Sequence, residues 1–339
     1  MKFSGIGGQA VLEGIMMRNK TKYSIAVRKE DGSIVCKTED TVPFSAKHSW
    51  AKVPFIRGAV SLVDSLVTGM KTIMWSASME EGEDSETLNK GEMASSVVLA
   101  VVLALAIFVA LPMLISSLLA KIPFFGEREW LLKIIEGVMR LLIFIGYVSL
   151  TSLLKDIKRT YMYHGSEHKC INCIEHGLPL TVENVMKSSK EHRRCGTSFL
   201  LIVMVISIVL FIFVPLPTIT AASMVLSKVL TKLAGFGIRL LLIPVVAGIS
   251  YEILQFTGKY DNAFTRAISV PGLWMQGLTT KEPTADMVEV AIRAVENVFD
   301  WKAFLRENFP DTVLPEEDSG ENAGECAENT GDAEEEENR

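Results

Sequence analysis

The sequence predicts an all-α integral membrane protein with about four transmembrane helices, a small cytoplasmic N-terminal β-hairpin region and an interfacial helix. Three observations carry that class. Across 339 residues the mean hydropathy is +0.29 and 49% of residues are hydrophobic, which argues for membrane rather than for two soluble domains. Four segments, roughly Ala94–Leu119, Leu131–Leu154, Phe199–Leu216 and Phe236–Phe256, are long enough to cross a hydrocarbon core of about 30 Å. Lys and Arg gather before the first segment and between the second and third, and are sparse in the other two connections. By the positive-inside rule, both termini and the segment 155–197 face the cytoplasm of a multi-pass protein in a bacterial cell membrane.

The elements follow in order. Residues 1–93 read as a cytoplasmic N-terminal region. Gly5 to Arg18 carries four glycines around a short apolar core, and no phosphate-binding pattern follows, so a tight turn is expected there. Tyr23–Arg28 and Ser33–Lys37 alternate around Asp31-Gly32, the pattern of a β-hairpin. Phe55–Ala77 is apolar but interrupted by Arg57, Asp64 and Lys71, which suits a helix lying on the membrane with Trp75 at the interface. Glu80–Glu92 is an acidic linker. Residues 94–256 form the four-helix membrane domain. Its second segment holds Glu136 and Arg140 at i,i+4, a structural ion pair, and Arg239 is expected to snorkel at the outer end of the fourth.

In the C-terminal part, residues 257–309 read as a cytoplasmic helical region. Pro271 to Gln276 suggests a membrane-edge turn anchored by Trp274. Thr284 can cap a helix whose apolar positions Val288, Ala291, Ile292, Val295 and Phe299 follow helical spacing. Residues 310–339 are expected to be a disordered acidic tail. Twelve acidic residues and one basic lie from Asp311 onward, so without them the balance of 34 basic and 40 acidic residues changes sign. No basic stripe is interleaved with aromatics, which excludes a nucleic-acid partner.

The chemistry concentrates between Tyr161 and Phe199. This stretch holds four of the five histidines (His164, His168, His176, His192) and three of the five cysteines (Cys170, Cys173, Cys195). Nitrogen and sulfur donors at this density suit a borderline metal such as zinc. His164-Gly165-Ser166-Glu167-His168 reads H-x-x-E-H. On a helix this spacing puts both imidazoles on one face with Glu167 beside them, as in inverted zinc peptidases, where the glutamate activates water. The cytoplasmic setting favours metal or free thiols over disulfides for the three cysteines. His48 and His176 read as solvated residues, and Cys36 and Cys326 stand isolated.

GGQAVLEGIMMR at 7–18, YHGSEHK at 163–169, HRRCGTSF at 192–199, SYE at 250–252 and PGLWMQGLTTKEP at 271–283 together resemble the YqhQ-like family of bacterial membrane proteins. That family is a domain of unknown function described as predicted metal-dependent enzymes. The resemblance runs from about Gly5 to Phe299 and excludes the tail. Carrying its motifs over implies His164, Glu167, His168, His192 and Cys195 as polar candidates. Glu252 joins them as an ionisable residue near the cytoplasmic end of the fourth segment.

The expectation is a zinc-dependent enzyme, most simply a hydrolase acting at the cytoplasmic membrane surface. His164 and His168 would bind the ion, a third ligand would come from His192, Cys195 or Glu252, and Glu167 would be the catalytic base. Glu252 reaches His164 only if the chain after the second segment bends back. Membrane lipid is the expected surrounding partner, and the substrate is a membrane protein, a peptide or a lipid. The alternative is a non-catalytic adaptor or scaffold with a structural metal or polar cluster, and a transporter has the least support.

Overall fold

The computed structural model describes residues 1–80, 90–214, 219–221, 223–260, 262–315 and 327–328. It is mostly helical, and it departs from the all-α expectation at the N-terminus. Instead of one hairpin there is a four-stranded antiparallel meander: β1 (Ile6–Val11), β2 (Gly14–Asn19), β3 (Lys22–Arg28) and β4 (Ile34–Asp40). The hairpin expected around Asp31-Gly32 is β3–β4, where Gly32 takes φ +85. The expected tight turn in the glycine-rich stretch is also present, but strands flank it. Its hinge is Leu12-Glu13, with Glu13 at φ +46, a conformation usually left to glycine or asparagine.

The sheet is covered on both faces, as strand alternation requires. Ile15, Met17 and Ala26 point to one face and join Tyr163, Ile171 and Val288 in the largest apolar cluster. Val11, Met16, Tyr23, Ile25 and Val27 point to the other, against Trp75 and Met79. Trp75, expected at a membrane interface, therefore packs on the sheet. It belongs to α2 (Ile56–Glu80), which follows the short α1 (Phe44–Lys47) and a 3-10 turn.

The next helices, α3 (Lys90–Leu105) and α4 (Leu111–Leu119), are continuous through a π-helical turn at Ala106–Ala110. After a short turn, α5 (Pro123–Gly126), come α6 (Glu129–Thr151), α7 (Lys155–Glu175), α8 (Val182–Lys187), α9 (Gly196–Phe213) and α10 (Met224–Lys259). Among the described residues, three helices are long and apolar enough to cross a membrane: Ser95–Leu119, Gly196–Phe213 and Met224–Lys259. The second of the four expected spans, α6, forms as a helix but is not among them. It carries Glu129, Lys133, Glu136 and Arg140.

The ion pair in α6 is a buried triad. Glu136 accepts from Arg140 at 3.0 Å through one oxygen and from Arg239 of α10 at 3.0 Å through the other. Arg239 does not snorkel outward, because its charge has a buried carboxylate to meet and it is only 8% exposed. Arg140 Nε also donates to the Phe108 carbonyl at 2.8 Å, within the π-helical turn, where a wide turn disturbs the regular backbone bonding.

The C-terminal elements are α11 (Ala263–Thr279), α12 (Ala285–Glu296) and α13 (Trp301–Asn308). The turn expected at Pro271–Gln276 is not present; these residues continue α11, which tolerates Pro271 in its interior. Asn262 and Thr265 form a reciprocal capping box that starts that helix upstream. The helix predicted after Thr284 is α12; Thr284 takes its N-cap position without a side-chain capping bond, and the helix's apolar face lies against the sheet and α7. The tail expected to be disordered falls mostly outside the described residues. Within it, Leu314 packs against the main apolar cluster, and Ala327–Glu328 pair parallel to Val35 and Cys36 of β4. Cys36 is disulfide-bonded rather than isolated.

Candidate metal centre

The H-x-x-E-H run lies in the middle of α7, and its position follows from a break in the chain. Helix α6 stops at Thr151, residues 152–154 turn, and α7 restarts at Lys155. The helical break therefore falls at the start of the expected loop, and the helix runs unbroken through Gly165. Gly165 has another duty: a Cβ there would lie 2.0 Å from the Lys281 carbonyl oxygen. Only glycine admits the segment after α11 against this face of α7. That approach is fixed by Lys281 N–H donating to the Tyr161 carbonyl at 2.8 Å.

Three side chains of α7 hold a second segment, residues 186–191, by its backbone. Lys169 donates to the Met186 and Ser188 carbonyls, and Asn172 to those of Ser189 and Glu191. His168 Nδ1 bonds the Lys190 carbonyl at 2.6 Å, and His164 Nδ1 bonds the Thr279 carbonyl at 2.9 Å. A carbonyl can only accept, so both rings carry their proton on Nδ1 when neutral and present Nε2 as a lone pair. The two rings pack edge to face with centroids 4.5 Å apart.

Cys195 completes the arrangement from the start of α9. Its Sγ caps that helix, accepting from the Thr197 N–H at 3.4 Å, and lies 3.1 Å from His164 Nε2. The donor atoms of His164, His168 and Cys195 all lie within 4.8 Å of one another. They face a cavity of about 120 Å³ that also takes in Glu167, His192 and Arg194, with Gly7 and Gly8 of β1 as its lid. A Cβ on Gly8 would lie 3.1 Å from the Glu167 carboxyl carbon, so a bare backbone closes over that carboxylate.

Burial by itself would push the Cys195 thiol up, but the adjacent imidazoles, His164 foremost, hold it well below its ordinary range. Burial likewise works against a charged His164, yet Cys195 and then Glu167 outweigh it and push His164 up to about 9.

The expected site residues therefore divide. His164, His168 and Cys195 converge, and Glu167 lines the same cavity. His192 lines it too, but its ring is turned toward other partners: Nε2 lies 3.3 Å from Arg194 and 3.7 Å from Glu175. The backbone of His192 is clamped by Gln276 through a pair of hydrogen bonds of 2.9 and 2.6 Å. Glu252 is not part of the group. Its carboxylate is held by Arg57 at 2.8 and 2.6 Å and by the Phe55 N–H at 3.2 Å, and it lines a different cavity. Cys170 and Cys173 are free, buried in the apolar cluster, and their thiols are raised foremost by that burial.

Residues that sequence reasoning did not assign complete the surroundings. Glu175 accepts from Ser4 and Arg194; burial opposes its charge, but His192, Arg194 and the Ser4 N–H bring it down to about 2. Gln276 and Thr279 lie inside PGLWMQGLTTKEP, so the signal that could have found them was their place in a shared motif.

A sheet-capped helical protein with three helices of membrane-spanning length and a His/His/Cys cavity is the class these features define. Residues 53–301 match the DUF1385 family, described as proteins of unknown function, and the chain belongs to that family. An uncharacterized protein, YqhQ of Bacillus subtilis (strain 168), is 36% identical over 321 residues, covering 89% of this chain and 94% of that protein. No solved structure matches.

Proposed function

We propose that the protein is a zinc-dependent hydrolase of the cytoplasmic membrane surface, anchored by four spans (the three apolar helices and α6) with both termini in the cytoplasm. One observation carries the reading: Nε2 of His164, Nε2 of His168 and Sγ of Cys195 converge beside a cavity that Glu167 also lines. The donor set fits zinc. Tetrahedral zinc with N and S ligands keeps donors about 3.5 Å apart, so atoms within 4.8 Å close around an ion with a small inward movement. Each Nδ1 is already fixed by a carbonyl, the outer support that ligating histidines require.

Zinc with three protein ligands supplies a Lewis acid and lowers the pKa of a water in the fourth position to about 7. The chain's own residues do the rest. His164, His168 and Cys195 would hold the ion, and Gly7 and Gly8 of β1 wall the cavity beside it. Glu167 accepts a proton at its carboxylate and returns it to the leaving group. Arg194 stands at the cavity wall, where a developing negative charge is stabilised. The substrate is a membrane protein, a peptide or a lipid that reaches this surface.

The experiment is metal analysis of the purified protein beside complementation of a deletion strain. His164→Ala should lose metal and function together. Glu167→Gln should keep the metal and lose 10²- to 10⁴-fold of the activity, the usual worth of general-base assistance. A well-expressed Glu167→Gln protein that complements fully would return the site to the scaffold reading.

A second reading has its own observation, the 3.1 Å contact between Cys195 Sγ and His164 Nε2. Those atoms suit a metal-free thiol nucleophile with His164 oriented by the Thr279 carbonyl. Function that survives complete removal of metal, yet is lost on alkylation of Cys195, would select it.

A further inference from the structure

Strand β1 is an edge of the sheet: β2 lies on one side of it, and among the described residues no strand lies on the other. In an antiparallel pair, alternate residues turn their N–H and C=O groups away from the partner strand. Two bonds identify which residues of β1 do so. The Ile6 N–H goes to Ser4 Oγ at 3.4 Å, and just beyond the strand the Leu12 N–H goes to Ser76 Oγ at 3.2 Å. The even-numbered positions therefore face outward, and a hydroxyl caps each end of that row. Between the caps, the outward N–H and C=O groups of Gly8 and Ala10 have no partner among the described residues. An edge left open in this way is a template for another strand.

The open stretch lies at the metal centre. Gly7 and Gly8 wall the cavity lined by His164, Glu167, His168 and Cys195, and Gly196 at the start of α9 lines it too. Neither Gly7 nor Gly196 is demanded by packing or by a positive φ, since a Cβ on either would meet nothing within 4 Å. What they leave is room. Helix α7 runs beneath β1 in the opposite sense: Arg159 binds Glu13, Glu167 lies against Gly8, and Glu175 holds Ser4. The edge therefore passes along the helix that carries the two histidines. The cavity, at about 120 Å³, has only Ile6 and Ile171 as aliphatic lining, which gives an acyl chain no trough.

We propose that the substrate of this centre is an extended polypeptide segment that adds to β1 as a further strand, bonded to the backbone of Gly8 and Ala10. This names the substrate class within the hydrolase reading above and rests on it. Strand addition draws its affinity from main-chain bonds, so side chains of the substrate matter mainly beside the cavity. Glycine at 7 and 8 and alanine at 10 keep the approach of a second backbone unobstructed. The peptide group opposite Gly8 comes to Glu167, whose carboxyl carbon lies 3.1 Å from the Gly8 Cβ position. Hydrolysis there breaks the C–N bond: the hydroxyl of water joins the acyl carbon, and Glu167 passes the remaining proton to the nitrogen. Only a segment whose own N–H and C=O groups are free can pair, so the edge selects flexible regions of proteins over folded ones.

The test uses the purified full-length Glu167→Gln protein in a neutral detergent, so that binding is read without turnover. The probe is a fluorescein-labelled decapeptide of alternating Val and Ser. At saturation, hydrogen exchange should slow at the Gly8 and Ala10 amides, while Gly7 and Gln9, already paired with β2, should change little. Ala10→Pro removes one outward N–H and leaves the ladder to β2 intact, as edge strands permit. In the Glu167→Gln background it should weaken the probe about tenfold or more, whereas Ala10→Ser should stay within about threefold. Bound metal and melting temperature serve as folding controls, and if Ala10→Pro fails them the exchange pattern decides. No binding, protection elsewhere than at the β1 edge, or normal binding by a folded Ala10→Pro variant would overturn the proposal. Binding with the expected protection, but no cleaved peptide from the zinc-loaded parent protein by mass spectrometry, would support strand addition and overturn the hydrolase reading instead.

Discussion

Glu136 and Glu167 are both helical, both 6% exposed, and both lie within one helical turn of a basic residue on their own helix. Glu136 spends each oxygen on an arginine, and the two guanidinium groups share the Phe211 ring at 5.8 Å each. Glu167 has no ion pair among the described residues, and its carboxylate borders a cavity shared with Nε2 and Sγ atoms. The first cluster is closed upon itself and holds helices together. The second keeps its outer atoms, the Nδ1 protons, bonded to carbonyls, while its inner Nε2 and Sγ atoms gather beside a shared cavity. A cluster's bonding pattern, more than its burial, separates a structural role from a binding one.

The largest effect expected from breaking this contrast is at Glu136. Glu136→Ala leaves two buried guanidinium groups without their anion and should destabilise the protein by about 3–5 kcal/mol, read as a collapse in thermal stability and in yield. Replacing Glu136, Arg140 and Arg239 together by Leu, Met and Met should recover most of that loss, because the penalty lies in the unpaired charge. Glu167→Gln should leave the melting temperature nearly unchanged. If the two single variants melt alike, the distinction fails.

Next comes the support of the open cluster. Gly165→Ala forces a methyl group against the Lys281 carbonyl, at a cost of about 1–3 kcal/mol, and pushes Thr279 away from His164. Zinc affinity should fall about 10- to 100-fold with all ligands still present, as for loss of other outer partners. Titration with a competing chelator measures it.

Glu175 supplies a pH-dependent effect. Its pKa is lowered from 4.5 to about 2, so its stabilisation is fully present above pH 4.5 and is lost as pH falls toward 2. At neutral pH the shift corresponds to roughly 3 kcal/mol, and the melting curves of the parent protein and Glu175→Gln should converge between pH 4.5 and 2. The smallest effect is expected away from both clusters. Glu252→Gln should leave bound metal at its parent stoichiometry, and so should Cys170→Ala, measured by elemental analysis.

What could be read from the sequence follows a physical rule. The i,i+4 spacing of His164 and His168 fixes their common face wherever the helix goes, so that pair and Glu167 were legible. Cys195 was legible as a thiol beside a helix start. Glu252 was misleading because a carboxylate shows its own charge in the sequence but not the arginine 195 positions away that neutralises it. Arg239 was misread for the same reason, its partner being 103 residues distant. The strands β1 and β2 were obscured because their turn uses Glu13 at positive φ in place of Asn-Gly, and Gly8 serves a close approach to Glu167 rather than chain reversal.

The bond from His164 to the Thr279 carbonyl spans 115 residues, and this sets an order of events during synthesis. When α7 leaves the ribosome, its imidazoles have no acceptor to fix their tautomer, and Cys195 and α11 are still to come. At about 5–20 residues per second the wait for Thr279 is roughly 6–23 s. During that interval the nascent chain offers histidines and thiols to any passing metal without the geometry that selects among them. On the zinc reading proposed above, selective loading is a property of the finished chain, and a protein truncated before α11 should bind metals without discrimination.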